Sequence, residues 1–273
     1  MKHIMLDAYG AKTKNLNDVK YVNNSLAKIA VALGGKTVAP PFLLPYYYGV
    51  EPEDIGISAF LFLKGGHLTI HTFPLRECYF VDMMMPEAFD TEKAKKLFNK
   101  YFAFTEDMSL YQVAERDISM DEVQPIDGEE VFGPHIMAKI KAKVAPNMEE
   151  IFNFLEGIIS SVNMTPIIRP YVIKDSMKNP KYLSGIVMIA ESHISFHYDM
   201  EDKLIYFDLF SCKMFDTSPL KELLTNKYGT LESYFVTARG TKHKYLKANR
   251  HNKKTASNLV KKSSSAWVNN IIK

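Results

Sequence analysis

Two stretches of the chain repeat one pattern: a short apolar run, a break, then alternation of polar and apolar positions. Ala59-Phe60-Leu61-Phe62-Leu63 leads into Lys64-Gly65-Gly66-His67-Leu68-Thr69-Ile70-His71. Gly185-Ile186-Val187-Met188-Ile189 leads into Ala190-Glu191-Ser192-His193-Ile194-Ser195-Phe196-His197. Such alternation predicts half-buried strands. The offset of 126 between His71 and His197 also carries Asp82 onto Asp208 and Phe89-Asp90-Thr91 onto Phe215-Asp216-Thr217. Upstream, His3-Ile4-Met5 matches His135-Ile136-Met137 at an offset of 132. The difference of six predicts an insertion in the first copy, at Tyr47 to Pro52 or just after.

Each copy then reads alike. A strand near 3–9 or 135–141 opens it. An amphipathic helix follows, with Val19, Val22, Leu26, Ile29 and Leu33 on one stripe and Gly34-Gly35 as the stop. Its counterpart carries Ile151, Leu155, Ile158 and Val162, with Asn147 placed to cap it. A short strand, the paired strands around the histidines, a strand through Asp82 or Asp208, a second helix (91–102, 218–227) and a last strand (109–114, 233–238) complete the unit. Adjacent strands with helices set apart predict an α+β fold, each sheet antiparallel with helices on one face. Two such units would pack sheet to sheet as a four-layer α-β-β-α sandwich. The predicted divisions are a first repeat at 1–117, a linker at 118–133, a second repeat at 134–240 and a basic tail at 241–273.

Composition changes this picture little. The chain has 273 residues, 47% hydrophobic and 24% charged, as an ordinary globular protein does. No apolar run approaches the ~18 residues of a membrane span. The opening Met1-Lys2-His3-Ile4-Met5-Leu6-Asp7 turns acidic too soon for a secretory signal. Two cysteines, Cys78 and Cys212, make no disulfide framework, and a cytoplasmic location is expected. The net charge of +3 is uneven, since residues 241–273 hold eight Lys, one Arg and no acid. A solvated terminus is preferred there over a nucleic-acid contact.

The histidines open several chemistries. His67/His71 and His193/His197 have the spacing of a helical metal pair, but four residues on a strand span about 13 Å, too far for one ion. No metal is expected. Ser192, the histidines and Cys212 suggest nucleophile chemistry, yet Ser192 is not on a Gly-x-Ser-x-Gly elbow. Histidines that only hydrogen-bond within a sheet are the plain alternative.

Ser184-Gly185, the stretch Glu191 to His197 and Asp208-Leu209-Phe210-Ser211-Cys212 together resemble the signature of the small prokaryotic S-adenosylmethionine decarboxylases. The resemblance extends to the opening His-Ile-Met strand, the first helix and Arg239-Gly240, and it covers nearly the whole chain, twice. It implies a proenzyme of polyamine biosynthesis that cuts itself between Glu191 and Ser192. Ser192 Oγ would attack the Glu191 carbonyl, and β-elimination from the ester would leave a pyruvoyl cofactor on the new α chain, 192–273, beside a β chain, 1–191. The pyruvoyl ketone would form a Schiff base with the substrate amine and act as the electron sink that side chains lack. Cys212 would be the acid that reprotonates the product carbon.

The family also builds its sites between two homologous units. By that likeness Ser58 and His71 of the first copy would serve the site at Ser192, while Ser184 and His197 would face a degenerate one, where Gly66 stands for the serine and Pro86 for the cysteine. Substrate identity is more open. The family's ribose-binding glutamate falls at Leu75 in the first copy and Glu201 in the second. Glu77, Asp7 and an aromatic such as Tyr46 are further candidate substrate contacts. S-adenosylmethionine is the first expectation, with arginine or ornithine as alternatives, and an inactive paralogue that activates a partner as another. Further homo-oligomerisation of the processed chains is open.

Overall fold

The computed structural model describes residues 1–46, 55–119, 121–190 and 192–241, with the Tyr46 side chain outside that description. The predicted insertion at 47–52 and nearly all of the tail thus lie outside the described residues. The first copy supplies strands β1 (Lys2–Tyr9), β2 (Phe42–Tyr46), β3 (Gly56–Leu63), β4 (Gly66–Phe73), β5 (Cys78–Met85) and β6 (Leu110–Glu115). Its helices are α1 (Thr13–Leu16), α2 (Val19–Ala32) and α3 (Thr91–Phe102). The linker contributes β7 (Asp121–Val123). The second copy supplies β8 (Gly133–Ala142), α4 (Met148–Ser161), β9 (Tyr171–Lys174), β10 (Tyr182–Ile189), β11 (Ser192–Asp199), β12 (Leu204–Ser211), α5 (Ser218–Tyr228) and β13 (Gly229–Arg239).

The first sheet runs β2-β3-β4-β5-β1-β6, and the second runs β9-β10-β11-β12-β8-β13-β7. The shared order is the structural form of the repeat. The second sheet departs from expectation in one respect: β7 joins β13 in parallel, so that sheet is mixed.

Helix boundaries follow local chemistry. Asp18 and Asp90 accept hydrogen bonds from the backbone N–H three residues on, and Asn147 forms a capping box with Glu150. Val22, Leu26 and Ile29 are buried, whereas Val19, expected on the same stripe, is 44% exposed because it precedes the packed turns. The caps Asp18 and Asn147 are 129 apart, as are Thr37 and Pro166, which bridge to equivalent residues Leu63 and Ile189. The six inserted residues are therefore divided. Three precede α2, where the turn holds α1, and three fall between β2 and β3.

Alternation decides the layers. Leu68 and Ile70 pack with α2 and α3 in one core, and Ile194 and Phe196 pack with α4 and α5 in another. The opposite faces meet. Phe60 and Phe62 pack against Ile186 and Met188, while Tyr9, Cys78 and Phe80 pack against Phe210 and Cys212. The result is a four-layer α-β-β-α sandwich.

Charge locks the two sheets at their centre. Arg116, just past β6, donates to Asp208 of the second copy and, at 3.1 Å, to His3 of its own. Arg239, at the end of β13, donates to Asp82 of the first copy at 2.6 Å and to His135 of its own at 2.9 Å. Each guanidinium thus satisfies a carboxylate across the interface, which a buried charge requires.

Candidate active site

Paired strands deliver the site. β3 and β4 turn in two residues, with Leu63 opposite Gly66, and β10 and β11 turn likewise, with Ile189 opposite Ser192. The registers place Ser58 opposite His71 and Ser184 opposite His197. Each serine Oγ meets its histidine Nδ1, at 3.0 Å for Ser58 and 2.8 Å for Ser184.

The other ring nitrogens cross between sheets. His71 Nε2 lies 2.9 Å from His193 Nδ1, and His197 Nε2 lies 2.8 Å from His67 Nδ1. The arrays Ser58–His71–His193 and Ser184–His197–His67 are pseudo-two-fold copies. Their surroundings differ, because His193 follows Ser192 and His67 follows Gly66.

Ser192 Oγ is buried and has no hydrogen-bond partner among the described residues. Its strand parity matches Ile194 and Phe196 on the helix side, and Ser192 pairs with Ser211 across the ladder. Cys212 follows Ser211 and packs, half-buried, beside Tyr9, Cys78, Phe80 and Phe210 between the sheets. Glu191 lies outside the described residues.

The degenerate turn is filled. A Cβ on Gly65, the counterpart of Glu191, would lie 2.7 Å from Pro86 and 2.8 Å from the Tyr182 ring. A Cβ on Gly66 would lie 2.0 Å from the Met84 carbonyl oxygen. On the Ser192 side, the offset puts Cys212 where Pro86 stands and Gly56 where Tyr182 stands. Among the described residues, the plug of the Gly65 side therefore has no counterpart of the same residue types on the Ser192 side.

Burial sets the protonation of the array. It pushes His71 down to about 4 against the opposing pull of Asp82, and His67 down to about 3. His193 and His197 are also held well below the ordinary imidazole value, by burial first and then by neighbouring histidine for His197 and against the pull of Asp82 for His193. At neutral pH all four are uncharged, each with one ring N–H and one lone pair. Burial opposes ionisation of Asp82, yet Arg239 and His135 hold its carboxyl well below the usual range.

The remaining sequence candidates are dispersed. Asp7 is buried, its two carboxylate oxygens accepting from Arg239 Nε and Gly240 N at 2.7 Å each. Those bonds dock the end of β13, so Asp7 serves the inter-sheet clamp. Glu201 sits in the turn after β11, pairs with Lys181 at 2.9 Å and is 73% exposed. β11 separates it from Ser192 by roughly 25 Å, so the structure does not bring the two together. Leu75 and Glu77 are half-buried at the turn between β4 and β5, and Glu77 directly precedes Cys78 of the Cys212 cluster. The Tyr46 side chain lies outside the described residues.

His3, Asp82 and His135 offer donor atoms within 4.8 Å of one another, the spacing of a metal site. Arg239 Nη1 already lies 2.6 Å from Asp82 and 2.9 Å from His135, so a guanidinium takes the place of a cation. The sequence reading passed over three groups: His67 and His193 as partners, and Arg116 as the twin of Arg239. The 126 offset and the arginine after each last strand were the available signals.

A family model described as S-adenosylmethionine decarboxylase matches residues 2–115 and 137–239. The S-adenosylmethionine decarboxylase proenzyme of Archaeoglobus fulgidus is 30% identical over 95 residues, 34% of this chain and 80% of that protein. The proenzyme of the same name from Thermoplasma acidophilum is 32% identical over 83 residues, 29% of this chain and 60% of that protein. The crystal structure of the adenosylmethionine decarboxylase from Aquifex aeolicus VF5 superposes with a TM-score of 0.37 at 18% identity, covering 45% of this chain and 96% of that one. No helix among the described residues is long and apolar enough to cross a membrane.

Proposed function

This chain belongs to the S-adenosylmethionine decarboxylase family, a family of carboxy-lyases, and on that premise we propose that it is a self-cleaving, pyruvoyl-dependent decarboxylase with one working site. Residues 1–117 and 134–240 are its two repeats, joined by 118–133. The single observation that carries the reading is the array running from Ser58 through His71 to His193, beside Ser192.

In this reading Ser192 Oγ, buried and without a hydrogen-bond partner among the described residues, attacks the Glu191 carbonyl. The C–N bond breaks, and Glu191 becomes an ester on Ser192. A base then removes the Ser192 Cα proton, and the ester oxygen leaves with Glu191 as a carboxylate. The dehydroalanine left behind tautomerises to an imine, and water hydrolyses it, releasing ammonia and leaving the ketone. Neutral His71, acting through the Ser58 hydroxyl at its Nδ1, is the proposed base. Cleavage frees residue 192 from the turn, which lets it rotate from the helix side towards the space between the sheets. The pyruvoyl group formed there supplies the electron sink for loss of carbon dioxide.

Cys212 fits the role of proton donor to the product carbon. It lies on the inter-sheet face beside Phe210, and a thiol placed there can deliver its hydrogen to the carbanion. Around it, Tyr9, Phe80 and Phe210 form an apolar wall. Such a wall excludes water, which would otherwise compete for the carbanion.

S-adenosylmethionine is the proposed substrate, and Glu77 the proposed carboxylate for its polar end, being half-buried next to Cys78. Leu75 at the position expected for the ribose contact favours a second reading, in which arginine or ornithine is the substrate. Release of labelled carbon dioxide from the three amino acids, by the processed protein, tests the choice. Turnover of S-adenosylmethionine supports the first reading, and turnover of only arginine or ornithine replaces it with the second.

A further inference from the structure

We propose that His193 is a positioning residue that completes a Ser–His–His array and fixes the tautomer of His71. The proposal rests on the reading above, in which Ser58 and His71 serve the site at Ser192. A hydroxyl and a base become a working pair when a third group orients the base. Carboxylates commonly fill that place. Here no carboxylate among the described residues bonds to the far nitrogen of His71, and His193 Nδ1 stands at 2.9 Å instead.

The proposal assigns each proton in the array. His71 is neutral, its value pushed by burial to about 4, so one ring nitrogen carries a hydrogen and the other a lone pair. Ser58 Oγ is 3.0 Å from Nδ1, and the proposal makes it the donor. Nε2 then carries the hydrogen and donates to His193 Nδ1. His193 in turn bears its hydrogen on Nε2, which is buried without a partner among the described residues. A charged acceptor at this place would draw His71 towards the imidazolium. A neutral imidazole holds the orientation while leaving the lone pair on Nδ1.

The position of His193 in the chain gives the array a second property. His193 belongs to the strand that begins at Ser192, and His71 belongs to the other copy. The orienting group therefore arrives with the residue to be converted, so the array is complete only when the two sheets are docked. The twin array Ser184–His197–His67 has the same bonds, but its neighbour is Gly66 and its turn is filled by Tyr182 and Pro86.

Two measurements on the full chain test this. In pulse-labelled cell-free synthesis, His193→Phe, which keeps a ring and removes the acceptor, should be cut on the order of 10²-fold more slowly than the unmodified chain. His193→Asn, whose amide oxygen can replace Nδ1 as acceptor, should recover most of that rate. Equal rates for the unmodified chain and His193→Phe would overturn the proposal. In uncleavable Ser192→Ala protein carrying ¹⁵N-histidine, with His71→Gln used to assign the signal, the His71 shifts should show hydrogen on Nε2 and none on Nδ1. Hydrogen on Nδ1 would overturn the proposal even if the Phe variant fails to fold. An unmodified chain that stays whole would instead contradict the pyruvoyl reading, and the ¹⁵N measurement would still judge the tautomer.

Discussion

His71 Nε2 lies 2.9 Å from His193 Nδ1, so the histidine near the end of β4 in one copy touches the residue that follows Ser192 in the other. Its pseudo-symmetric twin, His197, touches His67, which follows Gly66. Equivalent side chains therefore serve unequal neighbours. His71→Ala and Ser58→Ala should slow chain cleavage on the order of 10²-fold. His197→Ala and Ser184→Ala should leave it near the rate of the unmodified chain. The ratio of cut to uncut bands over time checks both.

The Gly65-Gly66 turn differs from its counterpart by more than a hydroxyl. A Cβ at Gly66 would meet the Met84 carbonyl oxygen at 2.0 Å, and Tyr182 and Pro86 crowd Gly65. Gly66→Ser should therefore produce no third fragment. It should also lower the melting temperature, because a clash with backbone forces strands apart and costs about 1–3 kcal/mol. Intact mass and a thermal melt read the two outcomes.

The central arginines carry a large share of sheet docking. Arg239→Met leaves Asp7 and Asp82 buried without their guanidinium, and breaking one side of a buried pair costs about 3–5 kcal/mol. Lys36→Met, on a side chain 68% exposed and 3.6 Å from Glu87, should change stability by less than about 0.5 kcal/mol. Denaturant unfolding of the two variants separates these cases.

Acid should weaken the protein in a defined window. Burial depresses His71 to about 4 and His67 and His135 to about 3. An unfolded histidine titrates near 6.5. Below that value the unfolded chain binds protons that the folded chain refuses, so stability is fully present above pH ~6.5 and falls with pH down through about 4 and 3. Each group contributes a slope of up to about 1.4 kcal/mol per pH unit within its window. Melting temperatures should hold between pH 7.5 and about 6.5 and decline steadily from there to 4.5. A flat profile would contradict the buried neutral histidines.

Much of this fold was legible because period-two alternation and its 126-residue repetition survive side by side. Leu68 and Ile194 reveal the helix-facing side, and His67 and His193 the other. The cross-sheet contacts were less legible, since nothing in the local pattern says which histidine of one copy meets which of the other. Only the docking of two sheets brings His71 to His193 rather than to His197. Arg116 was hidden for the same reason. Its partner Asp208 is distant in the chain, and the arginine reads as the polar end of a strand. The strand β7 was read as linker because three exposed residues, Asp121 to Val123, carry no periodicity.

Asp7 and Glu201 are candidate substrate contacts whose partners in the fold the sequence does not show. Both are acids near sheet ends, but one is committed to Arg239 and Gly240 and the other to Lys181 in solvent. The division of the insertion was hidden as well, because α1 is too short to show a helical period.

The most direct test is the intact mass of freshly purified protein under denaturing conditions, beside Ser192→Ala. Two fragments meeting between Glu191 and Ser192 are predicted, the smaller with a blocked amino terminus, together with a variant that remains whole. A single chain of full mass in both samples would contradict the pyruvoyl mechanism, and the chain would then be a family member that had lost its chemistry.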